Sequence, residues 1–246
     1  MTIKLQLKSA ARCAGCHALW LALALALIAC VALPTTRDAI GWRIDKWFGG
    51  NRAPQLRFEQ ALDTLHRRTS STIPIGSVVV LGDSHMHGAV LPVAPLVTAN
   101  FSIGGVTAQR MATLATRYDA AQTASAVVFL IGHNDLNEGG TPADIARAYG
   151  KLLSLTNRVP LKVCIGLLPV NSRLASTKAA RLASNVEIRT ACERSNAIYV
   201  STDEALADSS GFLRREFDSG DGVHLSAAGY SALMPLIANA CCIRSH

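Results

Sequence analysis

The chain has 246 residues, room for one substantial α/β domain plus an appendage but not for two full domains. Half of the residues are hydrophobic and only 17% are charged, an apolar balance that points to contact with a membrane somewhere along the chain. Lys and Arg outnumber Asp and Glu by 24 to 17, yet the basic residues are scattered and form no stripe with interleaved aromatics, so no nucleic-acid partner is expected.

Residues 13–34 carry no charge, and 18–33 are mostly Ala and Leu, which predicts an N-terminal hydrophobic helix over 1–34 serving as a membrane anchor or signal segment. Lys4, Lys8 and Arg12 precede it without an acidic residue, as suits a cytoplasmic flank. Leu27-Ile28-Ala29-Cys30 also resembles a bacterial lipobox. Retention as an anchor, lipidation at Cys30 and cleavage are the three fates this segment allows. Each puts the rest of the chain outside the cytoplasm, in the periplasm. Cys13, Cys16 and His17 have the spacing of a c-type haem attachment site, but they abut the apolar stretch with no folded pocket around them, and no cofactor is expected. Cys164, Cys192, Cys241 and Cys242 fall in the exported part, where a disulfide is chemically permitted and its pairing is open.

Residues 35–54 mix Gly49-Gly50, Pro and charges, and read as a tether ahead of a domain over 55–246. Residues 55–68 place Leu56, Phe58, Leu62 and Leu65 at helical spacing, predicting a helix with one apolar face. A β-branched run at 77–81 then leads into Gly82-Asp83-Ser84-His85. Gly82 lets the chain turn sharply, and Ser84 falls at the start of the next helix, where backbone N–H groups without intrahelical partners can hold an oxyanion. The same tripeptide is also ordinary turn chemistry. A weaker strand near 97–103 ends in Gly104-Gly105, which lets a backbone N–H approach a substrate closely. Thr107 is placed to cap a helix over 107–121.

The strand predicted over 125–131 runs into Gly132-His133-Asn134-Asp135. An Asn at the end of an apolar strand projects from the carboxyl edge of the sheet, where it can donate to a substrate oxygen or cap the loop. A helix over 142–156, a strand over 161–168, a helix over 177–194 and a strand over 197–200 follow. Asp221-Gly222-Val223-His224 precedes a last helix over 225–240, with Ser226 as its N-cap. Asp and His three apart in one loop can hydrogen-bond, which fixes the imidazole tautomer and turns its far nitrogen toward a nucleophile. His87 could also approach Ser84 along a helix, but it brings no carboxylate, whereas His224 does.

Apolar strands alternating with helices predict a three-layer α/β/α, flavodoxin-like domain with a central, mainly parallel sheet of about five strands. Its ligands would bind at the carboxyl ends of the strands. Gly-Asp-Ser, Gly-Gly, Gly-x-Asn-Asp and Asp-x-x-His, in that order, resemble the SGNH hydrolases, also called the GDSL family, over about residues 77–240. The resemblance implies Ser84 as nucleophile, His224 as base and Asp221 as its orienter, with Ser84 N–H, Gly105 N–H and the Asn134 side chain as the oxyanion hole. It departs at His85, where the family's older signature has Leu. The expected activity is serine-dependent hydrolysis of acyl or acetyl esters on an extracytoplasmic small molecule or glycan. Its rivals are O-acyl transfer to a cell-envelope polysaccharide and a non-catalytic glycan-binding module. No residue cluster has metal-ligand spacing, so no metal is expected.

Overall fold

The computed structural model describes residues 53–171, 174 and 177–242. The N-terminal helix expected over 1–34 lies outside the described residues, as does the Cys13-Cys16-His17 pattern. Among the described residues no helix is long and apolar enough to cross a membrane.

Strands β1 (Val78–Gly82), β2 (Thr98–Asn100), β3 (Ala126–Leu130), β4 (Leu161–Ile165) and β5 (Ile198–Val200) form one sheet in the order β2-β1-β3-β4-β5. Every pairing is parallel, with Val78 opposite both Thr98 and Ala126. The central strands β1 and β3 are buried at every residue, which is why both are unbroken apolar runs rather than alternating ones. The edge strand β2 is shorter than its apolar run, because Asn100 turns its amide to the Met86, His87 and Ala89 carbonyls.

The helices are α1 (Ala53–Ser70), α2 (Ser84–His87), α3 (Ala108–Leu114), α4 (Ala120–Thr123), α5 (His133–Asn137), α6 (Pro142–Leu155), α7 (Lys178–Arg194), α8 (Asp203–Leu206) and α9 (Ala227–Cys242). Successive strand residues face opposite ways, so Val79, Leu81, Val127 and Phe129 meet Met111 of α3, Leu152 of α6 and Ile188 of α7. Val78, Val80, Val128 and Val163 meet Leu206 of α8 and Leu233 and Ile237 of α9 on the other side. The result is the expected three-layer α/β/α fold. Helix α6 starts where it does because Thr141 and Asp144 form a capping box around Pro142, a device worth about 1 kcal/mol.

Three further expectations change. The helix over 107–121 breaks into α3, a 3-10 turn at Ala115–Arg117, and α4. Tyr118 leaves the helical backbone there, packing its ring on His66 and Phe101 and donating its hydroxyl to Asp63 at 3.0 Å. The strand over 161–168 pairs only as far as Ile165, because side chains of α7 take over: Leu167 N–H goes to Asn185, and its carbonyl accepts from Asn185 and Arg181. In α1 the fully buried residues are polar, and of the expected apolar face Leu62 is the one that packs against the core. Glu59, Asp63, His66 and Ser70 face inward, while Phe58 and Leu65 are exposed. Glu59 pairs with Arg110 at 2.6 Å, Asp63 with Arg117 at 3.1 Å, and Ser70 accepts from Ala120 N–H at 2.9 Å. Of the cysteines, Cys164 and Cys192 are joined, linking β4 to the helix that covers it.

Candidate active site

The chain runs from β1 out to β2 and returns to β3 on the opposite side of β1, so the loops leaving the carboxyl ends of β1 and β3 part. Such a switch point opens a crevice, the usual ligand site of a parallel sheet. Ser84 follows β1 and Asn134 follows β3.

Ser84 is placed by the two residues before it. A side chain at Gly82 would lie 2.7 Å from Met86 Cβ and 2.9 Å from the Leu130 carbonyl oxygen, so the turn at the strand end tolerates glycine alone. Asp83 caps α2, its carboxylate accepting from His85 N–H at 3.0 Å. Asp83 is wholly buried, and burial pushes its pKa up to about 7 against the pull of that bond.

The partner of Ser84 arrives from far along the chain. His224 Nε2 lies 2.9 Å from Ser84 Oγ, and His224 Nδ1 lies 2.6 Å from Asp221 Oδ2. Since Nδ1–H donates to the carboxylate, Nε2 is left to accept the Ser84 hydroxyl proton. Burial opposes ionisation of Asp221. The backbone N–H and ring of His224 and the Val223 N–H outweigh it, holding the carboxyl well below the usual range. The loop itself is built on Asp218, which accepts from Gly220 N–H, Gly222 N–H and the Asn171 amide at 2.8–2.9 Å. Ser226 caps α9 behind it, accepting from Gly229 N–H.

The glycine turn after β2 stands beside the nucleophile: a Cβ on Gly104 would be 3.8 Å from Ser84 Cβ. Gly105 has φ +78°, a left-handed conformation that suits glycine and sets the direction of its N–H. Asn134 sits in the first turn of α5 rather than at a strand end, because α5 begins immediately after Gly132. Its Nδ2 donates to the Val106 carbonyl at 3.0 Å, which ties it to the Gly104-Gly105 turn and leaves the amide's second hydrogen for another acceptor. Buried Asp135 fastens the same junction by accepting from Ala108 N–H at 2.7 Å. Ser84, Gly105, Asn134, Asp221 and His224 are thus brought to one edge.

His87 takes no part in the hydrogen bond to Ser84. Its Nδ1–H donates to the Ser102 carbonyl at 3.0 Å, and its ring meets Phe58. His85 is buried between two other imidazoles, 5.4 Å from His224 and 4.7 Å from His133. Burial drives the pKa of His85 well down and that of His133 to about 4, so both rings are neutral. Tyr230 of α9 donates to the His85 carbonyl at 2.7 Å. Sequence reasoning did not anticipate this histidine pair, nor the Asp218–Asn171 clamp. The clamp had a signal, since Asp218-Ser219-Gly220 is typical Asx-turn sequence; the pair had none. Among the described residues no three His, Cys, Asp or Glu side chains form a group that could hold a metal ion.

A parallel α/β sheet carrying hydrogen-bonded Ser, His and Asp at the crevice of its switch point is the frame of a serine hydrolase. The family model described as "GDSL-like Lipase/Acylhydrolase family" matches residues 80–232, well over half of the chain. The chain belongs to that family and is a serine esterase. Solved structures share its fold at low identity. A GDSL-like lipase from Bacteroides thetaiotaomicron matches at 18% identity with TM-score 0.60, covering 73% of this chain and 96% of its own. A lipase/acylhydrolase from Enterococcus faecalis matches at 20% identity and TM-score 0.57, covering 66% and 94%. A mutant of an acetyl-xylooligosaccharide esterase from Geobacillus Stearmophilus matches at 18% and 0.56, covering 69% and 96%. A search of curated proteins found no match.

Proposed function

We propose that the protein hydrolyses carboxylic acyl esters, acetyl esters among them, through an acyl-serine at Ser84, acting outside the cytoplasm on a small-molecule or glycan substrate. The observation that carries this is the continuous hydrogen-bonded series from Ser84 Oγ through His224 to Asp221, at 2.9 and 2.6 Å. His224 Nε2 takes the hydroxyl proton as Ser84 Oγ attacks the ester carbonyl carbon. The oxyanion that forms is held by the Ser84 and Gly105 N–H groups and the Asn134 amide. Collapse breaks the bond to the alkoxy oxygen, which leaves with the proton from His224. Water then attacks the acyl-serine as His224 removes its proton, and collapse breaks the bond from Ser84 Oγ to the acyl carbon, with the proton returning from His224 to Ser84 as the acid departs. Half-exposed His224 and Asp221 leave the site open to water, which favours hydrolysis over transfer of the acyl group to a sugar.

The Cys164–Cys192 disulfide supports an oxidising compartment, in keeping with the uncharged stretch at 13–34 and its basic flank. A sugar acetyl ester is a natural candidate substrate, since one protein of this fold is described as an acetyl-xylooligosaccharide esterase. The test is labelling by a fluorophosphonate probe together with turnover of aryl acetates. Ser84→Ala should abolish both, His224→Ala should suppress both, and Asn134→Ala should cost about a hundredfold or more in turnover with folding intact. Probe reaction at a residue other than Ser84, or full activity in Asn134→Ala, would remove those assignments. A fusion to a reporter active only after export, joined after residue 242, tests the location.

A further inference from the structure

Helix α1 lies wholly ahead of the segment matched by the family model, yet its Phe58 comes near the nucleophile. Its Phe58 is a large apolar ring left 42% exposed, and it leans on the His87 ring with centroids 5.7 Å apart. His87 is in turn fixed by its bond to the Ser102 carbonyl. The point where a Cβ of Gly104 would sit is 3.7 Å from Phe58 Cε1 and 3.8 Å from Ser84 Cβ. Phe58 Cε1 and Ser84 Cβ therefore both border the space above Gly104, the two no more than about 7.5 Å apart. The helix is not loosely placed: the buried Glu59 and Asp63 carboxylates, one and five residues on, are paired to Arg110 and Arg117.

The two histidines of α2 show which part of an ester would enter that space. At about 100° per residue, His85 and His87 project roughly 160° apart around α2. His224 packs on the His85 ring and Phe58 on the His87 ring, so that spacing assigns the base to the His85 side of Ser84 and Phe58 to the His87 side. A tetrahedral carbon on Ser84 Oγ has three other substituents. The oxyanion faces the N–H donors, and the leaving oxygen must face His224 to receive its proton. The acyl carbon is left for the remaining flank, against Gly104 and Phe58.

We infer that Phe58 is a specificity-determining residue: with Gly104 beneath it, its ring closes the acyl seat and restricts the enzyme to esters of short acids, of acetyl or propionyl size. The inference rests on the assignment of Ser84 as nucleophile. It is tested on the full chain with p-nitrophenyl acetate, butyrate, hexanoate and octanoate, by measuring kcat/KM for each ester. The unaltered protein should prefer acetate over octanoate by about a hundredfold or more, and Phe58→Ala should lower that ratio at least about tenfold, in line with what apolar pockets discriminate. Gly104→Ala provides a second reading, independent of whether Phe58→Ala folds well. Its new Cβ would sit at ordinary contact distances, so the fold should accept it while the seat shrinks. Butyrate should then fall further than acetate. An acetate-to-octanoate ratio unmoved by Phe58→Ala, or octanoate as good as acetate at the outset, overturns the inference while leaving Ser84 in place. Activity persisting in Ser84→Ala overturns both.

Discussion

Reduction of the Cys164–Cys192 bond should lower stability by an amount set by the loop it closes. The cysteines are 28 residues apart, and both are buried, one in β4 and the other in α7. Cross-linking a loop of that length removes chain entropy worth about 3.5 kcal/mol from the unfolded state. At about 2–4 °C per kcal/mol for a domain of this size, reduction should lower the melting temperature by about 10 °C. The assay is urea or thermal unfolding followed by circular dichroism, with and without reductant, alongside mapping of the peptide that joins the two residues. Because neither sulfur is accessible in the folded protein, reductant should act at the rate at which the domain opens. Equal midpoints in the two conditions, or absence of the cross-linked peptide from oxidised protein, would refute the reasoning.

The buried groups around Ser84 make further predictions. Asp83 has a folded pKa of about 7, above its unfolded value of 3.8, so the folded state binds an extra proton between these limits and loses stability as pH rises through them. Relative to Asp83→Asn, the unaltered protein should therefore lose about 2 kcal/mol between pH 5 and pH 7, and a pH-independent difference in urea midpoints would contradict this. His133 behaves in the opposite sense. Its folded pKa of about 4 lies below the unfolded 6.5, so the stability it contributes is present above 6.5 and is lost as pH falls toward 4, which should appear as a steep drop in melting temperature below pH 6. Among the described residues neither ring nitrogen of His85 has a hydrogen-bond partner, and replacing the ring by an apolar side chain removes buried polar atoms that each cost about 1–3 kcal/mol. His85→Leu, the residue of the family's older signature, should raise the melting temperature by several degrees; a loss of more than about 1 kcal/mol would count against it. Asp218→Ala should cut kcat at least about tenfold through misplacement of His224, with KM moving much less, since the clamp holds the base rather than the substrate.

Much of this protein is legible in its residues because the relevant forces are local. Val78 to Gly82 and Ala126 to Leu130 are apolar throughout, and only a strand covered on both faces needs that. Thr107 and Thr141 sit where helix starts require a side-chain oxygen. Asp221 and His224 are three residues apart, near enough for their bond to follow from the loop alone. What joins Ser84 to His224, 140 residues away, is a different matter: residue spacing carries no such distance, and only the order of motifs hinted at it. The tertiary structure alone decided the features whose partners lie on other elements. The fully buried residues of α1 are polar because Arg110, Arg117, Tyr118 and the Ala120 N–H wait to receive them. Cys164 meets Cys192 because α7 packs back over β4. His85 and Phe58 flank Ser84 because α2 turns two neighbouring histidines to opposite sides, a consequence of where the sheet and helices come to rest.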